Sequence, residues 1–104
     1  MSRAIINTRT LTLPLKREYF EQIRDRTKTE EYRLVTPYWA KRIRWRDYDA
    51  IVLTLGYPPA GDAARRIVRA WRGVEIKTIT HPHFGPDPMA VYAIDVTGVD
   101  LVQF

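Results

Sequence analysis

Thr27-Lys28-Thr29-Glu30-Glu31-Tyr32-Arg33-Leu34 is the stretch on which the fold turns. Its alternation reads as a strand with Lys28, Glu30, Tyr32 and Leu34 on one face and Thr29, Glu31 and Arg33 on the other. A glutamate and an arginine are thereby set side by side at i, i+2, close enough to form an ion pair. Lys28 faces the opposite side of an ideal strand, but it lies at the strand's start, where the chain is still turning.

Toward the N-terminus, Lys16 to Asp25 places Tyr19, Phe20 and Ile23 at i, i+1 and i+4, which predicts an amphipathic helix of two to three turns. Before it, Arg9 to Leu13 alternates as a strand, and Pro14 is expected to end it. Toward the C-terminus, Pro37 can open a short helix through Tyr38, Trp39 and Ile43, because proline is tolerated in a first turn. Ala50 to Leu55 is an apolar, β-branched run that should form a central, buried strand.

Tyr57-Pro58-Pro59-Ala60-Gly61-Asp62 is punctuated as a loop. Arg65 to Trp71 and Val74 to Thr80 both alternate, and their junction at Arg72-Gly73 predicts a hairpin. His81 to Pro88 is too rich in proline for a regular element. Met89 to Val96 is a last long strand, which Val99 to Phe104 would continue.

About six strands with one or two short inserted helices make an α+β, mainly β, domain. Many short strands with local pairing suggest a small barrel or half-open sheet rather than a doubly wound fold. The 104 residues fit one domain spanning 1–104, with no internal repeat and no Gly/Ser linker. Hydrophobic residues make up 45% and aromatics 12%, enough large side chains to fill a small core.

There is no cysteine, so disulfides and thiolate metal sites are excluded, and a reducing, cytoplasmic setting is the expectation. No apolar run approaches the roughly 20 residues that span a bilayer, and Met1-Ser2-Arg3 does not begin a signal peptide, so no membrane partner is expected. The formal charge of +5 is unevenly spread: Arg33 to Val74 holds nine basic and three acidic residues, a segment of +6. Thirteen of the 17 cations are arginine, whose planar fork suits phosphate and stacks on bases, so a nucleic acid or a phosphorylated ligand is a reasonable partner. A solvated basic surface without a partner is the bland reading of the same charge.

Leu13-Pro14-Leu15-Lys16, then Tyr19-Phe20, then Arg26-Thr27-Lys28-Thr29-Glu30-Glu31-Tyr32-Arg33 resembles the signature of the ASCH family, a Gly-x-Lys-Thr-x-Glu-x-Arg stretch following a short helix. Lys28, Thr29, Glu31 and Arg33 match the signature, whereas Arg26 stands where the family usually has glycine. An arginine resists the positive φ that glycine accepts, so the turn into the strand is where a departure is expected. The resemblance implies a PUA-like β-barrel with a cleft beside the inserted helix. Its implied ligands are RNA, other single-stranded nucleic acid, or a nucleotide or modified nucleoside. An amidohydrolase branch of the family shares the lysine but carries a threonine nucleophile where Glu31 stands, so here Glu31 would act on water or not act chemically.

Glu31 and Arg33 read either as a self-satisfied structural pair or as a carboxylate held ionised and oriented toward a ligand. The resemblance places Lys28 in the same cleft. Candidate ligand-binding residues are therefore Lys16, Lys28, Thr29, Glu31, Arg33, Tyr57, Arg69 and His83. Tyr38, Trp39, Trp45 and Tyr48 interleave with Lys41, Arg42, Arg44 and Arg46, the composition of a surface that stacks bases and neutralises phosphates, although core packing should claim at least half of these rings.

His81, His83 and Asp87 invite a zinc reading, but no four-ligand pattern completes it, and a rigid loop bordering the cleft is preferred. No metal and no cofactor is expected. Ser2 is the sole serine and the glycines are scattered, which excludes a serine-hydrolase elbow and a phosphate-cradling Gly-rich loop. The chain reads first as an RNA- or nucleotide-binding module. The alternatives are a ribonuclease or modified-nucleoside hydrolase using Lys28 and Glu31 as catalytic groups, and a protein whose basic face meets an acidic partner.

Overall fold

The computed structural model describes residues 9–101. In chain order the elements are β1 (Thr10–Leu15), α1 (Arg17–Arg24), β2 (Glu30–Leu34), α2 (Pro37–Ile43), β3 (Ala50–Leu55), β4 (Arg66–Ala70), β5 (Val74–Ile79) and β6 (Met89–Asp95), with 3-10 turns at Ala63–Arg65 and Pro82–Phe84. The domain is α+β and mainly β. Its six strands form two three-stranded sheets, in the orders β1-β3-β4 and β2-β6-β5. Among the described residues no helix is long and apolar enough to cross a membrane.

The apolar run of β3 is the middle strand of its sheet, parallel to β1 and antiparallel to β4. β6 is the middle strand of the other, antiparallel to both neighbours. Alternate residues Leu11, Leu13 and Leu15 of β1 and Ile51 and Leu53 of β3 meet Tyr92, Ile94 and Val96 in one core, into which α1 inserts Phe20 and Ile23 and α2 inserts Ile43. Each such side chain contributes on the order of 1.5–3 kcal/mol through removal of its surface from water.

Two expectations about β-structure are corrected. Pro14 does not end β1, which runs on to Leu15 paired with Leu55. β1 is an edge strand, so a proline whose missing N–H would point outward costs no ladder bond. Nor do β4 and β5 form a hairpin, since they belong to different sheets. Gly73, at φ 100°, carries the chain from one sheet to the other, a conformation that an L side chain resists. The outer edge of β4 is taken instead by the segment after β6: Ala70 N–H donates to Val99 O at 2.9 Å and Leu101 N–H to Val68 O at 2.8 Å. The expected continuation of the last strand therefore crosses to the first sheet, and its final residues, 102–104, lie outside the described range.

α1 ends in a Schellman turn, with Thr27 N–H bonded to Gln22 O at 2.9 Å and Arg26 N–H to Ile23 O at 3.1 Å. Arg26 takes φ 62° at the position that glycine usually fills. The turn expected to depart from the glycine geometry thus keeps it. The arginine is held there by its own guanidinium, which donates to Thr97 O at 3.2 Å and Gly98 O at 3.3 Å and lies 3.4 Å from Asp100.

Candidate ligand-binding cleft

β2 begins at Glu30, three residues later than its alternation suggests, because Thr27 and Lys28 still bond back to the helix through Gln22 O. Freed from strand alternation, Lys28 turns onto the side of Glu31. Its Nζ lies 3.6 Å from Glu31 Oε1, while Arg33 Nη1 donates to Glu31 Oε2 at 2.7 Å. Glu31 is only 5% exposed. Arg33 Nη1 also donates to Tyr32 O, and Nη2 donates to Pro14 O, each at 2.9 Å. Two cations thus flank one carboxylate, leaving a net charge of +1 in a sheltered position.

These three residues line a cleft of about 320 Å3, together with Pro14, Leu15 and Lys16 from β1 and its exit, Tyr19 of α1, Trp39 of α2, and His81, His83 and Phe84 of the proline-rich loop. Aromatic rings wall the cations. Lys28 Nζ lies 4.6 Å from the Tyr32 ring centre and 5.2 Å from that of Tyr19, and the Arg33 guanidinium carbon lies 5.2 Å from the Trp39 ring. His81 packs against Tyr19, Tyr32 and Phe84, with ring centres 5.7–6.1 Å apart. Its Nδ1 accepts a hydrogen bond from His83 N–H, which caps the Pro82–Phe84 turn.

Burial, with the bond to Glu30, raises the Tyr32 phenol above its ordinary value, and burial, with Glu18 and Glu31 nearby, raises that of Tyr19. Both therefore remain neutral hydroxyls at physiological pH. Tyr32 is further fixed by its bond to Glu30 Oε1 at 3.1 Å, whose other oxygen accepts from Lys77 Nζ at 2.7 Å.

Of the residues expected to touch a ligand, Lys16, Lys28, Glu31, Arg33 and His83 come together in this cleft. Thr29 does not: it precedes the strand, its side chain is exposed, and its carbonyl accepts from Val96 N–H. Tyr57 follows Gly56, whose N–H bonds Leu15 O, so it leaves the first sheet at the cleft's end but is not part of its lining. Arg69 is the clearest departure. At 2% exposure it is a buried structural residue, donating to Asp100 Oδ1 and Val96 O, both at 2.9 Å, to fasten the tail segment to β4.

Tyr19, Tyr32, His81 and Phe84 were not singled out as ligand contacts by sequence reading, although Tyr19 lies on the helix face read as core; Trp39, read as one of four interleaved base-stacking aromatics, is in the lining. Of the four interleaved aromatics, Trp39 and Tyr48 pack partly against the core, while Tyr38 and Trp45 are exposed. Among the described residues no three His, Asp or Glu side chains converge as a metal site, and Asp87 is not in the cleft lining. Comparison with protein-family models, curated proteins and solved structures finds no match to this chain.

Proposed function

We propose that this chain is a PUA-like module of ASCH type whose cleft takes an RNA base or a nucleotide. One observation carries the reading: a buried Glu31 flanked by half-buried Lys28 and Arg33, a cluster of net positive charge, stands inside an aromatic-walled cleft of about 320 Å3. That volume is at the small end of ligand sites, suited to one nucleoside-sized group. The rings of Tyr19, Tyr32 and Trp39 offer π faces to a base, and an uncompensated cation in a desolvated position attracts a phosphate. Lys28 is the member free to reach a ligand, because its contact with Glu31 is long whereas every nitrogen contact of Arg33 is at 2.7–2.9 Å.

The barrel reading draws support from contacts that stitch the two sheets together. Arg33 joins β2 to Pro14 of β1, and the segment after β6 pairs with β4. The absence of cysteine suits a cytoplasmic location.

A hydrolase of the same fold is the second reading, favoured by the closeness of Lys28 Nζ to a carboxylate, the juxtaposition that acid–base chemistry uses. Titration of nucleoside monophosphates and short single-stranded RNA across a salt series tests the proposal. Affinity should fall as salt rises, and Lys28→Ala should weaken it. Binding that ignores salt and Lys28 would remove the reading, and turnover lost in Lys28→Ala with binding kept would promote the hydrolase.

A further inference from the structure

Trp45 is 91% exposed and takes φ 59°, a left-handed conformation in which a bulky aromatic is an outlier. Neither property helps the fold. An indole left in water forgoes the burial that aromatics supply, and the backbone there carries strain of order 1–2 kcal/mol. The surroundings nevertheless hold this turn firmly. Arg44 N–H bonds Ala40 O, Arg46 Nε donates to Lys41 O at 2.8 Å, the Tyr48 hydroxyl donates to Arg42 O, and Arg42 stacks 3.6 Å over Tyr38 while donating to Tyr38 O. These bonds cap the last carbonyls of α2, so little negative end-charge is left to repel an anion.

Trp45 stands as a ridge between two grooves. One is an open cationic groove lined by Arg9, Lys41, Arg44 and Arg46. The other has an apolar floor of Ile43, Val74, Ile76 and Tyr92, and the Tyr92 hydroxyl is the one buried side-chain polar atom without a partner among the described residues. Around the ridge five cations, Arg9, Lys41, Arg42, Arg44 and Arg46, face three acids, Asp47, Asp49 and Glu75, of which Asp49 already accepts from Arg9 N–H. The Arg44 guanidinium sits 5.5 Å from the indole. A strained, solvent-facing ring flanked by arginines matches the stacking-plus-phosphate chemistry that single-stranded nucleic acid requires.

We propose that Trp45 is a base-stacking platform for single-stranded nucleic acid, with Arg44, Arg46 and Lys41 on the adjoining phosphates. α2 connects it to the cleft, since Trp39 on the same helix lines the cleft and Trp45 follows its last turn. The platform extends the nucleic-acid reading of the cleft, yet it is measured separately: uridine monophosphate reads the cleft, and only an oligonucleotide long enough to leave the cleft reads the platform.

The experiment measures binding of oligouridylate and of uridine monophosphate to the full chain and to Trp45→Ala, Trp45→Phe, Trp45→Gly and Arg44→Ala. Trp45→Ala should weaken oligouridylate roughly 5- to 150-fold, the range for loss of one base–aromatic stack, with Trp45→Phe in between and uridine monophosphate unchanged. Arg44→Ala should lower the slope of log affinity against log salt by about 1, a change Trp45→Ala should not produce. Trp45→Gly relieves the left-handed backbone, so it should melt higher than Trp45→Ala while binding equally weakly. Unchanged oligouridylate affinity in Trp45→Ala, or no oligouridylate binding by the parent chain, overturns the platform. A parent chain that binds oligouridylate but not uridine monophosphate overturns the cleft reading and leaves the platform standing.

Discussion

Arg33 donates from Nη2 to the carbonyl of Pro14 at 2.9 Å, and this bond joins the edge strands of two different sheets. It is available because β1 is an edge strand, along which alternate carbonyls face away from β3. On edge strand β1, Pro14 lacks an N–H, and its neighbour Leu15 turns its own carbonyl inward to accept from Gly56 N–H. The Pro14 carbonyl, left outside the ladder, needs a donor, and the guanidinium that supplies one is the same group that clamps Glu31 at 2.7 Å. The link between the two sheets and the cleft electrostatics therefore share one side chain.

Glu31→Gln separates these two roles. Glu31 is buried between Lys28 and Arg33, so neutralising it leaves two sheltered cations without their counter-charge, a loss on the order of 3–5 kcal/mol. The same change raises the charge of the Lys28–Glu31–Arg33 cluster from +1 to +2, so the fraction that remains folded should bind a nucleoside monophosphate more tightly. Chemical denaturation and calorimetric titration measure the two effects. A stability change under about 0.5 kcal/mol, the level of an ordinary surface substitution, would mean the triad is not the closed cluster described.

Arg26 offers a comparison of backbone strain with side-chain anchoring. Its φ of 62° disfavours any residue with a Cβ, while its guanidinium ties the turn after α1 to Thr97, Gly98 and Asp100. Arg26→Ala removes the anchor and keeps the strain, whereas Arg26→Gly removes both. The glycine variant should therefore be the more stable of the two by about 1 kcal/mol. Urea denaturation of the pair gives the difference directly, and equal stabilities would show that the turn carries no conformational penalty.

Ala50–Leu55 was legible at its ends because a β-branched apolar run bounded by the turn residues Asp49 and Gly56 has one reading. The Glu31–Arg33 pair was legible for a similar reason, since i, i+2 spacing in a strand admits one geometry. Lys28 was placed in the cleft by the resemblance and not by spacing, because its position depends on how many residues the Schellman turn consumes before the strand starts. The β4–β5 junction was misread because alternation reveals that a segment is a strand but not which sheet pairs with it. The aromatic wall of the cleft was hidden for a related reason: Tyr19, Trp39 and His81 come from three elements that share no sequence period. Arg69 was misplaced because a cation on an alternating strand looks solvent-facing until the tail carrying Asp100 is seen to cover it.

Gly98 marks the crossing of that tail, and its requirement is space rather than conformation. A Cβ placed there would lie 2.1 Å from the carbonyl oxygen of Ala70, a backbone atom that cannot step aside as the tip of a side chain could. The next residue, Val99, accepts from Ala70 N–H, and Leu101 donates to Val68 O, so the approach of the two chains is what lets the tail pair with β4. Gly98→Ala should push the tail outward, weaken both bonds and uncover Arg69, which depends on Asp100 and Val96 O for its buried donors. Overpacking of this kind costs about 1–3 kcal/mol. In a domain of this size each kilocalorie lowers the melting temperature by roughly 4–8 °C. Val99→Ala, at an exposed neighbouring side chain, is the control and should shift stability by less than about 0.5 kcal/mol. Thermal melts of the two variants decide the matter, and a Gly98→Ala variant that melts with the parent chain would mean the tail does not lie against β4.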